Sequence, residues 1–221
     1  MRGGMNEVDS IIKRYTVFLL SIVVVGTGIT MITQAGLGTT AVASIPFVLS
    51  RSTALSFGTL TMLLNILWVF LQWIILRSRF EKKQFLQFLV GPVLGIAIDV
   101  SALLLGPLAP SIYIGQLLYL IIGSVVLAFG VFMQIEASVI YNPVEGIVYA
   151  IARVINKQFG DIKVTFDFVL VLIATVLSFI LLGRIVGLRE GTILSALLIG
   201  PMTNVFQSLF SKKVAAVTKN N

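Results

Sequence analysis

The chain has 221 residues, of which 57% are hydrophobic and only 11% are charged. A soluble domain carries about 25% charged residues to cover its surface, so this composition predicts an integral membrane protein with a single domain over residues 1–221. Histidine and cysteine are both absent from the sequence. Their absence excludes disulfides, thiolate metal sites and a Ser/His/Asp triad, and there is no GxxxxGK(S/T) phosphate loop. We expect no enzymatic activity, catalytic residue, cofactor or metal.

The formal net charge of +7 comes from basic residues that lie between apolar stretches. This placement is typical of the positive-inside rule, which concentrates Lys and Arg in cytoplasmic loops. The expected partner of the chain is therefore the lipid bilayer, and no nucleic acid is expected. The first apolar stretch is longer than the core of a cleaved signal sequence, and we interpret it as the first membrane span.

Membrane helices need about 20 mostly apolar residues. In chain order, six spans are predicted at Tyr15–Ile32, Phe57–Leu76, Gln84–Leu105, Ile112–Met133, Val164–Leu182 and Gly191–Phe210. Two shorter, partly polar segments, Thr39–Arg51 and Asn142–Asn156, also have a helical pattern. Each opens with helix-capping chemistry, supplied by Thr39 and Thr40 in the first segment and by Asn142 followed by Pro143 in the second.

The charge of the loops indicates whether the two short segments cross the bilayer. If neither crosses and the N-terminus is cytoplasmic, 13 of the Lys and Arg residues lie inside, and the other 3, Arg51, Arg184 and Arg189, lie outside. If both cross, the division becomes 10 against 6. The six-span arrangement fits the positive-inside rule better. It predicts that both termini are cytoplasmic and leaves open whether the short helices are re-entrant or interfacial.

The sequence also resembles itself at an offset of 102 residues. The matches that keep their order are Arg51 with Arg153, Phe57–Gly58 with Phe159–Gly160, Asn65 with Asp167 and, at an offset of 109, Gly91–Pro92 with Gly200–Pro201. They predict two repeats, residues 12–105 and 112–211, each with three spans and one short helix. An odd number of spans inverts the second copy. The predicted fold is an all-α membrane protein with six transmembrane helices and two short helices, arranged as inverted three-helix repeats.

Four sequence motifs carry a family resemblance: QAGLGTTAVASIPFVLSR followed by FG, GPVLGIAID, NPVEGI and GTILSALLIGP. Over about residues 12–210 the chain resembles the bacterial YczE/YyaS/YitT family of membrane proteins. The resemblance implies a bacterial plasma membrane location and an acidic residue early in each short helix. Glu145 fills that position in the second repeat, whereas the first repeat has Ala43, so the two halves are unequal.

Charged groups inside a bilayer are costly and are functional candidates by default. Three acids qualify, and each has a simpler alternative. Asp167 could be interfacial and solvated, Asp99 could hydrogen-bond a neighbouring helix through Ser101 or Gln116, and Glu145 could complement the dipole of its helix. With the matched Asn65 and the residues at the starts of the short helices, the predicted substrate or proton site comprises Asp167, Glu145, Asp99, Asn65, Asn142, Thr39 and Thr40.

These features favour a secondary transporter of a small-molecule substrate, which could be coupled to protons. In such folds the substrate site lies at the repeat interface near short or interrupted helices. A non-transporting accessory or scaffold protein of a biosynthetic or regulatory pathway is the main alternative, followed by a membrane enzyme that uses carboxylates alone and by a channel. The sequence determines neither the charge of the substrate nor the oligomeric state.

Overall fold

A computed structural model describes residues 2–217 of the chain, with side chains for residues 11–210. The described residues contain no β-strand. The helices are α1 (Arg2–Gln34), α2 (Ala41–Ser52), α3 (Phe57–Leu76), α4 (Gln87–Leu105), α5 (Tyr113–Ala137), α6 (Pro143–Ile155), α7 (Phe159–Leu182) and α8 (Glu190–Val217). Short 3-10 turns at Arg77–Arg79 and Lys82–Leu86 connect α3 to α4, and another at Gly106–Leu108 follows α4.

Six of the helices, α1, α3, α4, α5, α7 and α8, are long and apolar enough to cross a membrane. The predicted all-α fold is therefore confirmed, and the chain is a multi-pass membrane protein. Helices α2 and α6 have 12 and 13 residues. At about 1.5 Å per residue they are too short to cross a hydrocarbon core of about 30 Å.

The helices differ from the predicted spans mainly at their ends. Helix α1 begins well before Tyr15, and α7 begins at Phe159 instead of Val164. Hydropathy identifies only the apolar part of a helix, whereas backbone hydrogen bonding continues through charged residues such as Asp161 and Lys163. The extension of α7 matters for the site because it brings Lys163 into the same helix as Asp167.

Helices α1 and α5 form the centre of the molecule and pack through glycines. A β-carbon at Gly28 would lie 2.6 Å from the amide nitrogen of Leu127, and one at Gly130 would lie 2.8 Å from Cγ2 of Val25. The absence of a side chain at both positions allows the two backbones to approach closely, which is how membrane helices gain dispersion energy without a hydrophobic driving force. The main apolar cluster lies along these helices and α4.

The other helices surround this central pair. Helix α4 packs beside α1 and α8 beside α5, while the short helix α2 packs on α7 and the short helix α6 packs on α3. Helix α3 also packs along α4, but α7 and α8 form no comparable interface through their described residues. The short helices therefore cross between the two halves of the chain, since each packs on a long helix of the other half.

Capping of the two short helices is as predicted, except that Thr40 alone, and not Thr39, caps α2. The Thr40 side chain accepts a hydrogen bond from the amide of Ala43 at the start of α2. Asn142 Oδ1 accepts one from the amide of Val144 at the start of α6, and Pro143 occupies the first helical position. Both caps satisfy amide groups that would otherwise be unpaired at the helix N-terminus.

Candidate functional site

Glu145 lies in the first turn of α6, and its Oε2 atom is buried without a hydrogen-bond partner among the described residues. Burial raises the pKa of this carboxyl group above its ordinary range, and the positive charge of Lys163 opposes the rise. The negative charge of Asp167 acts in the same direction as burial. Glu145 is therefore a carboxyl group whose protonation depends on charges contributed by α7.

A cavity of about 410 Å³ adjoins Glu145. Its polar lining includes Gln134 at the end of α5, Asn142 and Glu145, and Lys83 and Gln84 in the segment before α4. Asn142 Nδ2 donates to Gln134 Oε1 over 3.4 Å, whereas Gln134 Nε2 is buried without a partner. A free donor and a free acceptor therefore line the same cavity. Buried polar atoms are normally hydrogen-bonded, so this arrangement is typical of a site that receives a ligand, an ion or water.

Asp167 forms an ion pair that was not predicted from the sequence. Lys163 Nζ lies 2.7 Å from Asp167 Oδ1, one helical turn away, and the two side chains are 25% and 32% exposed. The pair carries no net charge, which lowers the cost of placing Asp167 within a membrane helix. The charges of both residues act on Glu145, so Asp167 and Glu145 belong to one electrostatic group.

Asn65, at the position matching Asp167, lies in a different environment. It is buried in α3, and its Nδ2 donates to the carbonyl of Thr61, while Oδ1 has no partner among the described residues. A β-carbon at Gly91 of α4 would lie 3.2 Å from Asn65 Cβ, so Asn65 is packed in the α3–α4 interface. No hydrogen bond joins Asn65 to Asp167 in the described part of the chain.

Asp99 caps α3. Its Oδ1 accepts a hydrogen bond of 2.8 Å from the amide of Gly58, and its Oδ2 accepts one of 2.5 Å from the Ser56 hydroxyl. The alternative of a hydrogen bond to a neighbouring helix is therefore correct, but the expected partners Ser101 and Gln116 were wrong. Ser101 instead pairs with Thr27 of α1. Spacing along α4 could not reveal this, because the donors belong to a helix start about 40 residues earlier in the sequence.

Thr39 and Thr40 lie at the start of α2, against the loop between α7 and α8. The Thr39 amide donates to Gly187 O over 2.9 Å, and its hydroxyl lies 3.1 Å from that of Thr33. No hydrogen bond or ion pair links this group to Asn142 or Glu145 among the described residues. The structure thus brings Glu145, Asn142 and Asp167 into one region and leaves Asp99, Asn65 and the two threonines elsewhere.

Residues 12–208 match the family model described as "Family of unknown function (DUF6198)". The chain belongs to the DUF6198 family. No curated protein and no solved structure matches it. Every candidate residue lies within the segment that the DUF6198 model covers.

Three site residues of this DUF6198 protein were not predicted: Gln134, Lys163 and Gln72. Gln72 Nε2 donates to the carbonyl of Pro143 and to Gln87 Oε1, so it holds the start of α6 against α3 and α4. A β-carbon at Gly146 would lie 2.3 Å from Gln72 Oε1, which explains glycine there. Uncharged glutamines inside or beside apolar spans, and a lysine one turn before an aspartate, are signals that could have identified these residues.

Proposed function

We propose that this chain is a secondary transporter of a small polar solute and that Glu145 couples transport to protons. The observation that carries the proposal is the buried, unpaired Glu145 carboxylate oxygen in a cavity at the start of a half-length helix. Half-length helices at the interface of inverted repeats are where secondary transporters bind substrates and coupling ions. A carboxyl group that lacks a partner in one state can gain one when a proton or solute arrives.

The arrangement of the helices supports two inverted repeats, residues 12–105 and 112–211. Helices α2 and α6 begin at matched positions, 41 and 143, as do α3 and α7, at 57 and 159. The contact of Gly28 with Leu127 corresponds, at the offset of 102, to the contact of Gly130 with Val25. A two-fold relation between the repeats produces such reciprocal contacts, because each residue meets the counterpart of its partner.

The buried position of Glu145 and the charges of Lys163 and Asp167 beside it support proton coupling. The raised pKa means that Glu145 keeps its proton to a higher pH than an exposed glutamate does. Deprotonation leaves a negative charge near the Lys163–Asp167 pair, where Lys163 can stabilise it only in competition with Asp167. A shift of α6 relative to α7 would change this balance, and so would load or release the proton.

The same proposal includes the cellular location. The division of 13 against 3 basic residues supports cytoplasmic termini, and the likeness to the YczE/YyaS/YitT family supports the bacterial plasma membrane. The terminal residues Met1 and 218–221 lie outside the described part of the chain.

Proteoliposomes with an imposed pH gradient test the proposal. Solute accumulation from a panel of labelled metabolites is measured with wild-type protein, with Glu145→Gln and with Asp167→Asn. We expect wild-type accumulation to require the gradient, and Glu145→Gln to lose both the accumulation and its pH dependence, since the amide cannot exchange a proton. Asp167→Asn leaves Lys163 free to hold Glu145 ionised, so its pH profile should shift to lower pH.

Asp161→Asn is the matched control, because it makes the same chemical change as Asp167→Asn at an exposed position in the first turn of the same helix. An acid in the first turn contributes only about 0.3–1 kcal/mol through the helix dipole, so this variant should behave as wild type. Wild-type accumulation with an unchanged pH profile in both acid variants would contradict the coupling site. A lack of accumulation for every solute would favour the accessory or scaffold alternative.

A further inference from the structure

A second cavity, of about 640 Å³, lies between the loop joining α7 to α8, the end of α1 and the last turn of α2. Three arginines line it: Arg51, Arg184 and Arg189. We call this cavity the arginine vestibule. Its size falls within the range of about 300–1,000 Å³ that is usual for small-molecule sites.

The three arginines are the ones that the sequence assigns to the outside. The positive-inside rule removes basic residues from short outer loops, so those that remain need a separate reason. Arg51, Arg184 and Arg189 come from two distant segments, yet all three line one cavity. Topology alone does not require such a convergence.

The positive charges of the vestibule are only partly compensated. Arg189 pairs with Glu190 at 2.9 Å and donates to Gly36 O at 3.1 Å. The Arg51 guanidinium lies 4.8 Å from the centre of the Phe47 ring, a cation–π contact that fixes its position without neutralising it. The Arg184 side chain makes no hydrogen bond or ion pair among the described residues.

The loop that carries Arg184 and Arg189 is held in place by hydrogen bonds. The Ser178 hydroxyl donates to Arg184 O and accepts from the Val186 amide, both at 2.8 Å. Gly187 has φ +77°, and a β-carbon there would lie 2.3 Å from the Phe47 ring. The loop therefore packs directly on the aromatic ring that Arg51 covers, and its hydrogen bonds hold the backbone at Arg184 at the edge of the vestibule.

We propose that the arginine vestibule binds a small organic anion, a carboxylate or phosphate ester, and that this anion is the transported solute. The second half of this inference rests on the proposed transporter function. Guanidinium groups match the planar geometry of carboxylate and phosphate oxygens and form charge-assisted hydrogen bonds to them. Symport with a proton would offset the negative charge that such a solute carries across the bilayer.

Calorimetric titration of the purified protein in dodecyl maltoside, a detergent without phosphate, tests binding independently of transport. The probes are succinate, inorganic phosphate, choline as a cation, and a short-chain phosphatidylglycerol that presents the same phosphate chemistry on a lipid. We expect saturable binding of succinate or phosphate that weakens with added salt. Arg184→Gln should weaken it about tenfold, the scale of one lost charged hydrogen bond.

Arg77→Gln provides the control, because it removes the same charge from the α3–α4 connection, outside the vestibule. Arg184→Lys keeps the positive charge but loses the planar guanidinium group that can form two parallel hydrogen bonds. It should therefore weaken binding less than Arg184→Gln. The proposal is overturned if neither anion binds, if Arg184→Gln and Arg77→Gln bind alike, or if only the lipid or choline binds. Anion binding without accumulation in proteoliposomes would support the vestibule as an anion site and contradict the proposed transport function.

Discussion

Both oxygens of the Asp99 carboxylate accept hydrogen bonds, whereas one oxygen of Glu145 accepts none among the described residues. Asp99 accepts from the Gly58 amide and the Ser56 hydroxyl at the start of α3. Glu145 Oε2 has no partner among the described residues. The positions of both acids near apolar segments mark them as candidates, but those positions do not separate their roles. The difference depends on which distant groups surround each carboxylate, and residue type and spacing do not contain that information.

The substitution Asp99→Ala tests the structural role of Asp99 at the start of α3. The substitution removes both acceptors and leaves the Gly58 amide unpaired, so we expect a loss of about 0.5–2 kcal/mol in stability, as for other lost helix caps. Thermal unfolding in detergent, followed by the monodisperse fraction in gel filtration, measures the loss. Accumulation per folded molecule should stay near wild type. Loss of transport at full stability would instead assign Asp99 to the transport site.

For the helices, the sequence predicted well which segments are helical, but it predicted poorly how the helices pack against one another. Six apolar spans and two capped short helices follow from hydropathy and from Thr40, Asn142 and Pro143. The sequence did not predict that α3 packs along α4 while the described residues of α7 and α8 form no such interface. Gly58 touches α4 so closely that a β-carbon would lie 2.1 Å from Gly95 O, while a β-carbon at the matched Gly160 would meet no atom of another helix within 4 Å.

A pair of alanine substitutions tests this asymmetry. Gly58→Ala places a methyl group against the α4 backbone, and overpacking of this kind costs about 1–3 kcal/mol. Gly160→Ala meets open space and gains helix propensity, so its stability should be unchanged or slightly higher. Thermal unfolding of the two variants in one detergent gives the comparison. Equal melting temperatures would indicate that α7 and α8 pack as closely as α3 and α4.

For the whole molecule, the proposed repeats predict that α7 and α8 pack as α3 and α4 do, but the described residues of α7 and α8 do not form such an interface. With Gly91 matched to Gly200, Gly95 of α4 corresponds to Asn204 of α8. A β-carbon at Gly95 would lie 2.5 Å from Gly58 O, so a helix with asparagine at this position could not make the same close contact. The exchange of glycine for Asn204 is a difference between the halves that hydropathy cannot detect, since membrane helix contacts depend on small residues more than on apolar content.

The orientation of the whole molecule is the remaining prediction, and the lack of native cysteine makes it direct to test. Lys82 and Ala109 are both exposed and lie at opposite ends of α4. Because basic residues cluster at Arg77–Lys83, we expect that end in the cytoplasm and Ala109 outside. An impermeant maleimide should label Ala109→Cys in intact cells and Lys82→Cys only after permeabilisation. Ala109 also lines the arginine vestibule, so this result would make the vestibule accessible from outside the cell. The reverse labelling would move the vestibule to the cytoplasmic face and require the Glu145 cavity to open outward.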